Sequence, residues 1–424
     1  MKIYLDHSAT TPMDKEVLEA MLPYFSHKFG NPSSIHSFGQ IAIAGVDKAR
    51  EQVSKFLNCS PDEIIFTSGA TESDNLAIRG VIKALQKQGV KKPHIITSLI
   101  EHDAIIEPCL EFEQEGVEVS YLQIKANGVI DIDKFKKAIK DNTVLVSVMY
   151  VNSEVGSVQP IREISKIIKK LNESRLREWE KRGPRDRGDA SSPFRTSRPQ
   201  RIYFHTDATQ AVNFLNCDVS WNYLDMLSMS GHKIYGPKGV GALYIKRGTP
   251  LEAVQRGGHH ENNLRSGTLN VPGIVGLGAA VAQFGSSRAK GLPSAIQQNN
   301  NKKIAKLRDM LVEGIKKNID GAILNTDRGN STPAHAHFSF LGAEGESILI
   351  ALDLEGVAVS TGSACASSSL KASHVLLAMG IKKEIAHNSI RFSLGKHTTE
   401  AEIKKVIKIL PLIVKKLRKM APKH

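Results

Sequence analysis

The feature that most constrains this chain is an alternation: short apolar runs bounded by polar turns recur between stretches of helical periodicity from Glu63 to Lys246. Strands are expected over residues 63–67, 94–98, 118–122, 143–150, 201–207, 226–228 and 241–246. Runs this short and this apolar are buried on both faces, so the pattern predicts a largely parallel sheet with helices on both sides. In such sheets ligands gather beyond the carboxyl ends of the strands. Past Gly267 the rhythm changes, with helices expected over 273–284, 298–317 and 400–418 and strands near 322–324 and 337–340. This second part reads as a smaller α+β unit.

A chain of 424 residues is long enough for two domains. The expected division is a large α/β domain over 13–268 and a small α+β domain made of 1–12 plus 269–424. With 41% hydrophobic and 24% charged residues, no membrane-length apolar run and no signal-peptide profile, the composition is that of a cytoplasmic enzyme. Four cysteines, Cys59, Cys109, Cys217 and Cys365, form no CxxC pair, which argues against a disulfide framework and against a zinc site. Much of the net charge of +14 sits in lysine-rich helical stretches whose polar face is solvated. Residues 172–200 break the pattern: rich in Arg, Ser, Gly and Pro, they read as a mobile basic insertion. Trp179 and Phe194 within that tract leave RNA or an acidic partner as a second reading.

Several residues carry chemistry at the expected strand ends. Lys233, in Ser230-Gly-His232-Lys233, follows a strand and precedes a Gly-Pro-Lys-Gly turn. It is placed either to form a Schiff base with an aldehyde cofactor or as a surface lysine in a glycine-rich loop. Asp207 ends a buried strand in a carboxylate, a helix cap by itself, but in Lys233's company a partner for the protonated ring nitrogen of pyridoxal phosphate (PLP). Ser68-Gly-Ala70-Thr71 joins a strand to a helix, whose N-terminal N–H groups suit a phosphate. His102 follows another strand end and is suited to stack on a ring or shuttle protons. Cys365 lies among glycine and small hydroxyl residues, the setting of an exposed nucleophile or of a plain surface loop. Arg391 is a candidate clamp for a substrate carboxylate, and Asn31 and His36 in an early turn-rich loop are candidates to line the pocket. The loop over 257–268 is too polar for a plain connection, yet its histidines fit no metal spacing.

Taken in order, Leu5-Asp-His-Ser-Ala-Thr-Thr-Pro12, Gly30-Asn-Pro-Ser-Ser34, Thr67-Ser-Gly-Ala-Thr-Glu-Ser73, Glu101-His102, His205-Thr-Asp-Ala-Thr-Gln210, Ser230-Gly-His-Lys-Ile-Tyr-Gly-Pro-Lys-Gly239, Arg265-Ser-Gly-Thr-Leu269 and Ser363-Ala-Cys365 closely resemble the cysteine desulfurases of the class V aminotransferase group. The resemblance implies a fold-type I PLP-dependent transferase, a homodimer with active sites at the subunit interface. In that family's terms Lys233 binds the cofactor covalently, Asp207 meets its ring nitrogen, Gln210 its ring oxygen, and His102 stacks on the ring. Ala70, Thr71, Ser230 and His232 hold the phosphate side, with Thr268 reaching in from the neighbouring subunit. Arg391 and Asn31 hold the substrate carboxylate, and Cys365 takes the sulfur as a persulfide. The implied reaction converts L-cysteine to alanine and passes sulfur to an acceptor, such as an iron–sulfur scaffold or a tRNA-thiolation protein.

Three departures bear on the reading. Where the family carries two adjacent asparagines, this chain has Asn152-Ser153, so the cofactor contact falls on Ser153. Extra sequence at 172–200 and the pair His102-Asp103 resemble selenocysteine lyases, the rival with the same cofactor chemistry. The tail ends at Met420-Ala-Pro-Lys-His424, shorter than in desulfurases that dock a scaffold through an extended C-terminus. A rival of another class is a non-catalytic sulfur-transfer scaffold or RNA-associated protein, against which Lys233, Asp207 and Cys365 stand together.

Overall fold

The computed structural model describes residues 2–181, 200–285, 291–361 and 372–420. Twelve strands appear in chain order: β1 Ile3–Tyr4, β2 Ile64–Thr67, β3 His94–Ser98, β4 Glu118–Leu122, β5 Thr143–Ser147, β6 Tyr203–Asp207, β7 Met226–Ser230, β8 Gly241–Ile245, β9 Ala322–Leu324, β10 His335–Phe340, β11 Val357–Ala358 and β12 Ser389–Ser393. Seven of them form one sheet in the order β2-β8-β7-β6-β5-β3-β4. Only β8 runs against the rest, pairing antiparallel with both β2 and β7. The sheet is therefore mixed but mostly parallel, and the carboxyl ends of the other six strands lie along one edge.

Strands β2, β3, β5, β6, β7 and β8 are buried at every position. Two apolar cores explain why. Phe66, Val146, Phe204 and Leu227 face one layer together with the helices Ser37–Leu57 and Val271–Ala282. Ile65, Leu145, Tyr203 and Met226 face the other, with Ala70–Lys87 and Asp103–Gln114. Since each fully buried aliphatic or aromatic side chain contributes about 1.5–3 kcal/mol, slipping a central strand by one residue would cost both layers at once. Register at the carboxyl edge is fixed accordingly.

A third core packs the antiparallel sheet β12-β10-β9 against the helices Ala295–Asn318, Gly345–Leu354 and Glu400–Met420. The N-terminus joins this unit, because β1 pairs in parallel with β11. From there residues 6–11 run back to the large sheet, where the backbone of Thr11 meets that of His232 at 2.9 Å.

One expectation needs correction. The tract from 172 was expected to lack structure, yet the helix Ile161–Lys181 continues to Lys181. Its buried residues end at Ile168, so apolar packing does not hold the last turns. Polar staples do: Asn172 binds both the N–H and the C=O of Ile202 at 2.9 Å, and Arg175 donates to the carbonyls of Gln200 and Lys140 at 3.1 and 2.9 Å. Residues 182–199 lie outside the described residues.

Candidate active site

The carboxyl edge of the sheet gathers most of the predicted residues. Gly241 sits between Thr67 on β2 and Ser230 on β7. A Cβ there would stand 2.7 Å from the Gly69 Cα, so only glycine lets the 68–71 turn lie this close. The turn consequently abuts Ser230, and a Cβ built on Gly69 lies 3.9 Å from the Ser230 hydroxyl. Ala70 and Thr71 open the helix Ala70–Lys87, with Thr71 exposed at its first turn. Glu72 fixes the turn from behind, accepting from Ser68 N at 2.6 Å and from Arg265 Nε at 2.8 Å. An oriented helix N-terminus beside a serine hydroxyl is the donor set a phosphate requires.

Lys233 closes a short 3-10 turn, Gly231–Lys233, directly after β7. Its Nζ donates to the carbonyls of Ser8 at 2.5 Å and Ala9 at 2.8 Å. Gln210 Nε2 shares the Ser8 carbonyl at 2.9 Å, and the His232 ring lies 3.2 Å from Thr10 Oγ1. Burial, with Lys233 and Lys238 nearby, lowers the His232 pKa to about 4, so its ring is neutral at physiological pH. Residues 6–11 thus form one wall of the site.

Asp207 ends β6 with Oδ1 accepting from Thr209 N at 2.9 Å. Two more acids share its surroundings. Glu101 accepts from Met149 N through both oxygens and from Ser98 Oγ, yet burial, joined by the Asp207 charge, raises its pKa to about 8. Asp74 is raised well above the carboxylate range, by burial and again by Asp207. A carboxylate felt by two buried neighbours is a site suited to a cationic partner. His102 caps the helix Asp103–Gln114, its Nδ1 accepting from Ala104 N at 3.1 Å. In the neutral ring this leaves the proton on Nε2.

Arg391, on β12, is 4% exposed. Nη2 donates to Asp6 Oδ1 at 2.7 Å and Nη1 to the Ser153 carbonyl at 3.1 Å, while Nε is buried with no partner among the described residues. The unused donor is capacity for a carboxylate. Asn152 is spent on its own turn, Oδ1 accepting from Glu154 N and Val155 N at 2.9 and 3.0 Å, while Ser153 engages Arg391 only through its backbone.

Three predicted residues are not brought to this edge by any contact in the described chain. Asn31 is exposed and its Oδ1 accepts from Ser33 N, which makes it a turn former here. His36 caps the helix Ser37–Leu57, accepting from Gly39 N at 3.4 Å. Thr268 is exposed. Cys365 lies outside the described residues. Sequence reasoning in turn missed Asp6, the Ser8 carbonyl, Asp74 and His205 as parts of the site. For Asp74 there was a signal: it sits in the stripe Ala70, Asp74, Ala77, Val81, the inward face of an amphipathic helix.

The chain matches the aminotransferase class-V family model over residues 3–176 and 194–406, with a break inside the basic tract. It is 44% identical over 421 residues to the cysteine desulfurase IscS of Dictyoglomus turgidum, covering 99% of this chain and 96% of that one. Among solved structures it is similar to a NifS-like protein, at TM-score 0.83 and 34% identity over 98% of this chain and all (100%) of the other. It is also similar to SspA in complex with cysteine, at TM-score 0.74 and 34% identity over 94% of this chain and 100% of that one.

Proposed function

This chain belongs to the aminotransferase class-V family, and from that membership we propose a residue-level account of its chemistry. The protein is a PLP-dependent cysteine desulfurase. The observation that carries the account is the convergence of Lys233, Asp207, Ser230 and Thr71 at one sheet edge, with Arg391 tied to the same wall through Asp6.

When bound, PLP supplies an electron-withdrawing ring that stabilises charge developing on the substrate carbons. Lys233 would hold it, with Asp207 at the ring nitrogen, Gln210 toward the ring oxygen and Ala70, Thr71, Ser230 and His232 at the phosphate. Arg391 binds the substrate carboxylate through its unused donor. Lys233 and His102 Nε2 move protons. The Cys365 thiolate attacks the sulfur of the bound cysteine, the S–S bond forming as the Cβ–S bond breaks, and the carbon takes a proton to give alanine. An acceptor thiolate, on an iron–sulfur scaffold or a thiolation protein, then attacks the outer sulfur of the Cys365 persulfide, the new S–S bond forming as the old one breaks to release the Cys365 thiolate.

We further propose a homodimer. Phe25, Phe29, Ile35 and Phe38 are exposed by 62, 64, 93 and 51% within one N-terminal stretch, an apolar surface that a second copy would cover. Thr268 is exposed, as a residue serving the neighbouring subunit must be. The domain boundaries 13–268 and 1–12 plus 269–424 belong to this account, as does a cytoplasmic setting. Among the described residues no helix is long and apolar enough to cross a membrane.

The test is product analysis on the PLP-loaded protein with L-cysteine and a dithiol, where equimolar alanine and sulfide are expected. Turnover of selenocysteine without turnover of cysteine would move the enzyme to the selenocysteine lyases. The Arg391 assignment makes its own prediction. Arg391→Lys keeps a charge but loses the planar fork, so KM for cysteine should rise roughly tenfold to hundredfold with a smaller fall in kcat. An unchanged KM would remove Arg391 from the substrate.

A further inference from the structure

Beneath Asp207 lies a polar network that the account above leaves unused. His205 and Asp207 are two residues apart on β6 and share the face covered by the helix Ala70–Lys87. The ring of His205 spans three strands, with Nδ1 2.9 Å from Ser147 Oγ on β5 and Nε2 2.9 Å from Ser228 Oγ on β7. Ser228 is also the register partner of Asp207. Over this network sits Asp74, 1% exposed, its Oδ1 3.6 Å from His205 Nε2 and both oxygens without a hydrogen-bond partner among the described residues.

An unpaired buried carboxylate is costly enough that the group neutralises instead. His205 cannot supply the missing charge, because burial lowers its pKa to about 3. Building on the assignment of Asp207 to the ring nitrogen, we propose that Asp74 is a positioning residue: a permanently protonated carboxyl that donates toward Ser228 and leaves Asp207 as the one negative charge facing the cofactor. The direction of the network follows. With the Asp74 O–H directed toward Ser228, the Ser228 O–H donates to His205 Nε2 and Nδ1–H donates to Ser147, so both ring nitrogens are satisfied and His205 is held in a single tautomer. Burial, and then the Asp207 charge, push Asp74 in the same direction despite the nearby Ser228 hydroxyl.

The experiment compares the PLP-loaded wild type with Asp74→Asn and Asp74→Leu. The infrared difference spectrum of wild type minus Asp74→Asn should contain a protonated-carboxyl C=O band that persists across neutral pH. Asp74→Asn, still a donor, should keep the cofactor absorbance and the PLP dissociation constant of the wild type. Asp74→Leu, which removes the donor, should weaken PLP binding about tenfold. Absence of the band, or equal losses in the two variants, would overturn the proposal, and the infrared arm stands even if Asp74→Leu does not fold. Asp207→Asn is the separate control: if it leaves the cofactor absorbance unchanged, the ring-nitrogen assignment fails, whatever Asp74 does.

Discussion

Lys233→Ala is expected to abolish covalent retention of PLP and to lower desulfurase activity about a thousandfold or more. Lys233→Arg is expected to be equally inactive, and this pair of variants separates two roles that the geometry superimposes. In the structure the Lys233 ammonium is bound by the Ser8 and Ala9 carbonyls. A residue whose task were only to pin residues 6–11 against the sheet could be replaced by arginine, which also donates to carbonyls. Schiff-base chemistry cannot be replaced that way, because a guanidinium keeps its proton at any physiological pH. Stability should barely follow activity: Ser8 O retains Gln210 and Thr11 retains His232, so losing the lysine bonds costs about 1–2 kcal/mol. Borohydride reduction followed by intact-mass measurement reads the outcome directly. Cofactor mass is expected on the wild type and on neither variant, and an active Lys233→Arg protein would refute the assignment.

Why the strand ends were legible, and residues 6–11 were not, is a matter of range. The runs at 63–67, 94–98 and 201–207 announce themselves through local composition, and the structure places strands at all three. Once they run parallel within one sheet, Thr71, His102 and Asp207 must share an edge. Nothing local says that the backbone of Ser8 will lie on Lys233, 225 residues away, or that Asp6 will meet Arg391 at a separation of 385. Those contacts arise because β1 pairs with β11 in one unit while Thr11 is fastened to the other. The basic tract misled for a related reason. Its composition forbids an apolar core, but Asn172 and Arg175 bind backbone groups instead, an alternative that composition does not register. Asp74 was hidden by its company, since Glu72 and Asn75 beside it are surface or turn-fixing groups and only helical phase singles it out.

Cys365→Ser is expected to remove sulfur transfer entirely, with sulfide release and persulfide labelling falling to background, while a combined Cys59→Ser, Cys109→Ala, Cys217→Ala protein keeps activity within a few-fold. The chain contains four cysteines. Burial above all pushes the thiols of Cys59, Cys109 and Cys217 up to about 12, and for Cys59 the carboxylates of Glu63, Asp62 and Asp218 add to it. At neutral pH such a thiol is ionised in fewer than about one molecule in ten thousand, and the thiolate is the nucleophile. Cys109 and Cys217 pack inside the apolar cores. The proposed function therefore assigns sulfur transfer to Cys365, and these variants test that assignment. The same variant also tests the reaction type, because a selenocysteine lyase need not store a persulfide. If Cys365→Ser still turns over selenocysteine but not cysteine, the thiol serves sulfur chemistry alone. Cysteine turnover that survived Cys365→Ser and vanished in the triple variant would instead place the nucleophile among the buried thiols and overturn the mechanism.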